Sequence, residues 1–285
     1  LTLNMSAATH PQTNRELLPE FRPGTSPVLV SVPHAGTGLA AGMPERLSEP
    51  ALDLPDTDWL VDRLYAFAGS LGAGLLVARA ARLVVDLNRP ADDRPLYDAS
   101  QTRLMTGVIP MQCFSGSPAY RAGHEPTAAE TLKRLEQYWE PYHHQLQAAL
   151  EQIRGQHGHA ILLDAHSIRS QLPLLFEGVL PDLNLGSNGG CSAAPGLVQA
   201  AAARLRAGGW SVVVDGRFKG GFITRHYGQP QRNIHALQLE IAQNCYMDEN
   251  PASLPPIWSD ERAEALQQHL RGLVETLLNW KPEHD

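Results

Sequence analysis

"HAILLDAHS", residues 159–167, runs four apolar residues into an acid, a small residue, an imidazole and a hydroxyl. It reads as a buried strand with an abruptly polar end. His and Asp are costly to bury without partners, so that end requires a reason. The surrounding chain alternates in type. Upstream, "SPVLVSVPHAG" reads as a strand that breaks at Pro33 into a loop, and "DTDWLVDRLYAFAGSLG" carries Trp59, Leu60, Leu64 and Phe67 at helical spacing before a glycine. "AGLLVAR" and "RLVVDLNRP" read as two short strands in quick succession. Residues of about 90–125 are rich in Pro, Gly, Ser and Asp and read as a long functional loop. "TAAETLKRLEQYWEPYHHQLQAALEQIRGQHG" is a long amphipathic helix, bent or interrupted near Pro141.

Downstream, the loop-rich "NLGSNGGCSAAPG" leads into the helix "LVQAAAARLRAGG". "WSVVVDG" and "HALQLEIAQ" are two further strands, and "DERAEALQQHLRGLVETLLNW" is a closing helix. Strands separated by helices imply an α/β protein whose mixed, mostly parallel sheet carries helices on both faces. The expectation is one catalytic domain over residues 1–285, with residues 1–20 a peripheral extension. In such sheets, chemistry gathers at the carboxyl ends of the strands.

Composition narrows the partners. The chain has 285 residues, 43% of them hydrophobic and 19% charged, with a formal net charge of -7. There is no long basic run, which argues against nucleic acid while leaving room for a local cationic pocket. No apolar stretch reaches membrane-spanning length, so no membrane partner is expected. The start lacks the basic, apolar and cleavage-site pattern of a signal peptide. Cys113, Cys191 and Cys245 are odd in number and scattered, and they read as reduced thiols. Together these features imply a cytoplasmic protein.

The polar strand ends can be read as one group. His34 follows "VLVSVP", Asn88 and Arg89 follow "LVVDL", His166 follows "AILLDA", and Glu240 interrupts the apolar alternation of "LQLEIAQ". Asp56 and Asp58 open the helix after the His34 loop. Two imidazoles and a carboxylate, as in His34, Asp58 and His166, suit a catalytic zinc or another divalent cation. A further carboxylate can then act as general base. No HExxH pattern is present. Each residue also has a plainer reading. A strand-end His can be a hydrogen-bonded structural residue, Asp56 can cap the helix with Asp58 in its first turn, and Arg89 can form a surface ion pair. Glu240 is harder to set aside, because a buried unpaired carboxylate is expensive. The pairs His143 with His144 and His157 with His159 read as structural. No GxSxG elbow or nucleophilic Cys setting occurs, and "GSNGG" lacks the context of a phosphate loop.

Taken together, "SVPHAGTG", "LPDTDWLVDRLY", "RLVVDLNRP", "YWEPYHHQL", "DAHSIRS", "LFEG", "LPDLNLG" and "KGGFITRHYG" resemble the N-formylglutamate amidohydrolase family. The likeness spans about Val28 to Glu249. It implies a three-layer α/β/α sandwich related to zinc carboxypeptidases and aspartoacylase. The implied reaction is hydrolysis of N-formyl-L-glutamate to formate and L-glutamate, the last step of one route of histidine degradation. The likeness makes His34 and His166 zinc ligands. The relatives' compact HxxE is absent from "HAGT", so the third ligand comes from "DTDW", with Asp58 preferred over Asp56. Glu240 takes the place of the base, and Asn88 with Arg89 that of the pair holding a substrate carboxylate.

The chemistry of the substrate agrees. Glutamate carries two carboxylates, and the planar fork of Arg suits each. Arg89 is expected at one and Arg225 of "GGFITRHYG" at the other, with His226 as a hydrogen-bond donor. Asp164, two residues before His166, shares its face in a regular strand and can orient a ligand imidazole, or else bond loop amides. Two other readings use the same residues. One is a different zinc-dependent N-acyl-amino-acid deacylase or carboxypeptidase-like hydrolase. The other is a non-catalytic acidic amino-acid binding protein, which the joint presence of His34, His166 and Glu240 argues against.

Overall fold

The computed structural model describes residues 16–96, 106–249 and 254–282. Residues 1–15 of the expected extension and 97–105 of the expected loop lie outside the described residues. In chain order the strands are β1 (Glu20–Arg22), β2 (Val28–Val32), β3 (Gly74–Val77), β4 (Ala160–Ile168), β5 (Leu183–Gly186), β6 (Val212–Val214), β7 (Ile234–Ala242), β8 (Met247–Asp248) and β9 (Ile257–Trp258). The helices are α1 (Glu49–Leu52), α2 (Val61–Leu64), α3 (Ala128–Arg134), α4 (Glu140–His157), α5 (Pro195–Arg206), α6 (Phe222–Tyr227) and α7 (Asp260–Asn279). Seven strands form one sheet in the order β1-β3-β2-β4-β7-β5-β6, and β8 pairs with β9 apart from it. The four central strands β3, β2, β4 and β7 are parallel; β1 is antiparallel to β3, and β5 runs antiparallel to β7 with β6 parallel to it. The sheet is thus mixed and mostly parallel.

Strand alternation builds a core on each face. One face carries Val28, Val30, Val32, Ile161, Leu163, Ala165, Leu237, Leu239 and Ile241, which pack with residues of α2, α5 and α7. The other carries Leu29, Ala160, Leu162, Ile234 and Ala236, which pack with α4 and α6. The result is the three-layer α/β/α sandwich. Along this second face the pattern changes towards the carboxyl end: Leu29 is followed by Ser31, Leu162 by Asp164 and His166, and Ala236 by Gln238 and Glu240, all buried. The same face that is greasy at one end of the sheet is polar at the other.

The long helix is interrupted where proline demands it. A π-turn at Leu135–Trp139 separates α3 from α4, and Pro141 lies in the first turn of α4, where its missing N–H costs little. Thr127 caps α3 by accepting a hydrogen bond from Glu130 N at 3.2 Å.

Several local expectations differ from the structure. "RLVVDLN" is not a strand but a series of turns. Its apolar side chains are buried in the second core. Its carbonyls find partners outside any ladder: buried Arg134 donates to the oxygens of Leu83 and Val84 at 3.4 and 3.2 Å. The helix expected from "DTDWLVDRLYAFAGSLG" shrinks to α2 and a 3-10 turn at Ala68–Leu71, because Leu60 takes a left-handed conformation (φ 59°) and no helix can run through it. "LNLG" is strand β5 instead of loop, and β1 adds an edge strand ahead of β2 to which the sequence pattern assigns no element. Leu17, within the expected peripheral extension, is buried in the second core.

Candidate active site

The polar end of the second sheet face opens into a cleft of about 660 Å³. β2 delivers His34 just past Pro33, and β4 delivers His166 from within its last turns of pleat. Asp58 is fixed by its own backbone, whose N–H donates to His34 O at 3.0 Å. Ser167 N donates to Asp58 Oδ2 at 3.3 Å. The nitrogen and oxygen donors of His34, Asp58 and His166 lie within 4.8 Å of one another. His166 Nδ1 is 2.9 Å from Asp58 Oδ2, and His34 Nδ1 is 3.6 Å from the same oxygen.

Both imidazoles are backed by carboxylates. His34 Nε2 donates to Asp86 Oδ1 at 2.8 Å, and His166 Nε2 donates to Asp164 Oδ2 at 2.9 Å. A carboxylate accepts, so each Nε2 carries a proton; both Nδ1 atoms point at the centre, where a cation would replace the proton that His166 Nδ1 shares with Asp58. The backing groups are held in turn. Arg82 grips Asp86 Oδ2 through Nε at 3.1 Å and Nη2 at 2.9 Å. Ser31 Oγ donates to Asp164 Oδ1 at 3.0 Å, and the Tyr142 hydroxyl lies 2.9 Å from Ser31 Oγ. Asp56, by contrast, faces away from this group: its Oδ2 accepts from Phe114 N at 2.8 Å, and it caps no helix.

The donor set fits a cation. His34 Nδ1 is buried without a hydrogen-bond partner. Burial opposes ionisation of Asp58, yet the hydrogen bond from His166 and the nearby His34 imidazole outweigh it and hold the carboxyl below its ordinary range. His166 is pulled the other way: burial disfavours its charge, but Asp164 and Asp58 raise it well above an ordinary histidine. Two imidazoles and a carboxylate turned on one point are the donor set a divalent metal ion takes.

Glu240 stands directly beside this group, paired in register with His166 on the neighbouring strand. It is 7% exposed, and burial, the largest cause, pushes it up to about 8. Among the described residues no group hydrogen-bonds its carboxylate, which faces the cleft. The cleft also carries cations: Arg82, Arg89 and Arg217 line it, together with Phe114, Leu175 and Phe218. Arg89 is braced by Thr106, whose carbonyl accepts from Nε at 3.0 Å and whose hydroxyl accepts from Nη2. Arg217 Nε donates to Leu175 O at 2.7 Å. Asn88 lines the cleft too, but its side-chain oxygen is taken by Ile223 N at 2.8 Å, and its Nδ2 lies 3.2 Å from His166 Nε2.

The structure therefore brings together His34, Asp58, His166, Glu240, Asn88 and Arg89. It does not add Arg225 and His226, which are not among the residues lining the cleft. They lie on α6, which sends Ile223 and Tyr227 into the core; Arg225 Nε folds back onto Gly220 O at 2.8 Å, and the exposed His226 ring stacks on Phe222 at 4.9 Å. Sequence reasoning passed over Arg82, Arg217 and Gln238. Gln238 had a signal, since it shares the face of Glu240 two residues on. Arg217 had none, because β6 runs against the central strands and the carboxyl-end rule does not reach it.

A cation-seeking donor group and three arginines lining one cleft of an α/β/α fold mark a centre suited to a cation and a small anionic ligand. Comparison with known proteins specifies it. Residues 26–247 match the family model described as N-formylglutamate amidohydrolase, and the chain belongs to that family. It is 48% identical over 268 residues to N-formylglutamate deformylase of Pseudomonas aeruginosa, covering 92% of this chain and 97% of that protein. The enzyme of the same name from Pseudomonas putida is 46% identical, with 92% and 96% covered. Among solved structures, N-formylglutamate amidohydrolase from Ralstonia eutropha JMP134 superposes with a TM-score of 0.78 at 27% identity, covering 92% of this chain and 96% of that one. A gene product from Agrobacterium tumefaciens shares the fold, with a TM-score of 0.68 at 18% identity and coverage of 93% and 97%.

Proposed function

We propose that this protein is an N-formylglutamate deformylase: it hydrolyses N-formyl-L-glutamate to formate and L-glutamate, with a zinc-like divalent cation held by His34 Nδ1, Asp58 Oδ2 and His166 Nδ1. Membership of the family and near-half identity to two curated deformylases support the activity. The single structural observation that carries the reading is the meeting of cation-seeking donors, Glu240 and three arginines in one cleft. When bound, the cation acidifies water and polarises the formyl oxygen.

The remaining work falls to the chain's own residues. Glu240 takes a proton from the attacking water as the new C–O bond forms. It returns that proton to the nitrogen as the C–N bond breaks, so the amine leaves neutral. With a cation held beside it, Glu240 would stay ionised for the first step despite its burial. Asp86 and Asp164 hold the two imidazoles in the tautomer that points Nδ1 inward. Arg89 and Arg217 each clamp one glutamate carboxylate, and their separation selects a dicarboxylate over a neutral amino acid. In this reading Arg225 and His226 stay outside the reaction. Removal of formate from the amino acid places the enzyme at the end of a histidine breakdown route.

The test combines two measurements on one preparation. Purified protein should hold about one divalent ion per chain and release formate from formylglutamate. Stripping with a chelator should abolish the release, and zinc should restore it. Full turnover after the metal is gone would refute the metal-dependent mechanism.

A further inference from the structure

Beyond the Tyr142 hydroxyl beside Ser31, the segment "YWEPYHHQL", residues 138–146, contributes no group to the site above, yet it grips the chain that does. Three consecutive carbonyls, of Leu87, Asn88 and Arg89, accept hydrogen bonds from outside their own segment. His143 Nε2 donates to Leu87 O at 2.9 Å, Phe222 N to Asn88 O at 3.3 Å, and Trp139 Nε1 to Arg89 O at 2.9 Å. A carbonyl can only accept, so His143 carries its proton on Nε2. Its Nδ1 then accepts from the Tyr227 hydroxyl at 2.9 Å. The imidazole is buried and lies 3.8 Å from the Trp139 ring, while the Tyr227 ring is nearly parallel to it at 5.9 Å. Trp139 closes the π-turn, and α4 begins immediately after it. π-turns of this kind collect at functional sites.

We infer that His143 and Trp139 are positioning residues for Arg89. They fix the carbonyls on either side of Asn88, and with them the direction in which the Arg89 guanidinium enters the cleft. This rests on the reading of Arg89 as a carboxylate clamp. The segment belongs to no strand, so no ladder sets its backbone, and a misaimed fork loses its bidentate geometry. The effect should fall on substrate binding more than on the chemical step, because neither residue touches the cation donors or Glu240.

The test is a double-mutant cycle in formylglutamate hydrolysis. Trp139→Phe keeps the ring and removes the donor to Arg89 O. It should raise KM about tenfold, with kcat changed less than about threefold and metal content unchanged. His143→Phe should do the same, and His143→Gln, which keeps an N–H for Leu87 O, should recover most of the loss. His144→Gln, altering the exposed neighbour, should match the parent. In an Arg89→Met background, Trp139→Phe should add nothing to KM, since the group it aims is gone. An equal loss in both backgrounds, or an unchanged KM in Trp139→Phe, overturns the inference while leaving the clamp intact. If Arg89→Met alone leaves KM unchanged, the clamp reading fails and the positioning role fails with it. Should His143→Phe not fold, the Trp139→Phe cycle decides the matter by itself.

Discussion

His166 and Glu240 are register partners on neighbouring parallel strands, so an imidazole of the cation-seeking group and an unpaired carboxylate stand side by side on one face of the sheet. The rigidity of two central strands fixes their spacing at about 4.8 Å between backbones. This separates two functions that a substitution can pull apart. Glu240→Gln is expected to fold and keep its metal, because Glu240 is outside the donor group. It should lose at least about a hundredfold in kcat, the lower range for a general acid–base group. Metal analysis with steady-state kinetics checks this; near-normal turnover removes Glu240 from the mechanism.

The donor group itself makes the complementary expectation. His166→Ala and Asp58→Asn should each lose the metal and nearly all formate release. Asp56→Asn should retain both, since Asp56 serves Phe114 N. The asparagine keeps an oxygen that accepts from Phe114 N, so its cost in stability should stay within about 1 kcal/mol. Metal retention in His166→Ala, or metal loss confined to Asp56→Asn, would reverse the assignment.

The backing carboxylates should show in affinity and not in fold. Asp164→Asn leaves a group of the same shape beside His166 Nε2, yet an amide can present N–H there and favour the wrong tautomer. Metal affinity should fall about ten- to a hundredfold, as such supporting partners commonly contribute. Competition with a chromophoric chelator measures it, and an unchanged affinity would assign Asp164 to the sheet alone.

How much of this was legible depends on where each hydrogen bond goes. "HAILLDAHS" and "HALQLEIAQ" were readable because strand alternation puts residues 164, 166, 238 and 240 on one face, and apolar neighbours make their polarity conspicuous. The choice between Asp56 and Asp58 was not readable: both precede an apolar run, and the contacts that tell them apart, Asp58 N to His34 O and Phe114 N to Asp56 Oδ2, come from distant parts of the chain. "RLVVDLN" imitates a strand in composition, but its carbonyls are satisfied by Arg134 and His143, some fifty residues further on. Arg217 was hidden by strand direction, which no single sequence states.

Stability should carry a pH signature from His143. Burial, the largest cause, pushes its pKa down to about 3, against the opposing effect of its bond to Leu87 O. The unfolded chain takes up a proton on this residue near pH 6.5, while the folded protein resists until about pH 3. The unfolded state therefore binds more protons in that window, and stability falls as pH drops through it. Between pH 6.5 and 5 the contribution is roughly 2 kcal/mol. Urea unfolding of chelator-stripped parent and His143→Gln at pH 7 and 5 isolates it. The variant should lose less stability on acidification; identical losses would show that His143 does not titrate with unfolding.

Specificity tests the cleft arginines. If Arg89 and Arg217 each hold a carboxylate, removing one leaves a substrate charge unpaired in a closed site, at a cost of roughly 2 to 5 kcal/mol. That is about thirtyfold or more in kcat/KM. The comparison is formylglutamate against formylglutamine, whose side-chain amide is neutral. Where an arginine faces the side-chain carboxylate, its replacement by Met should collapse the preference for formylglutamate. Where it faces the α-carboxylate, both substrates should fall together. Arg217→Met and Arg89→Met are expected to divide these two outcomes between them. Arg225→Met should change discrimination little, because Arg225 folds onto Gly220 O outside the lining of the cleft. If Arg225→Met alone collapses the preference, the clamp belongs to α6, and Arg217 is a packing residue on Phe218.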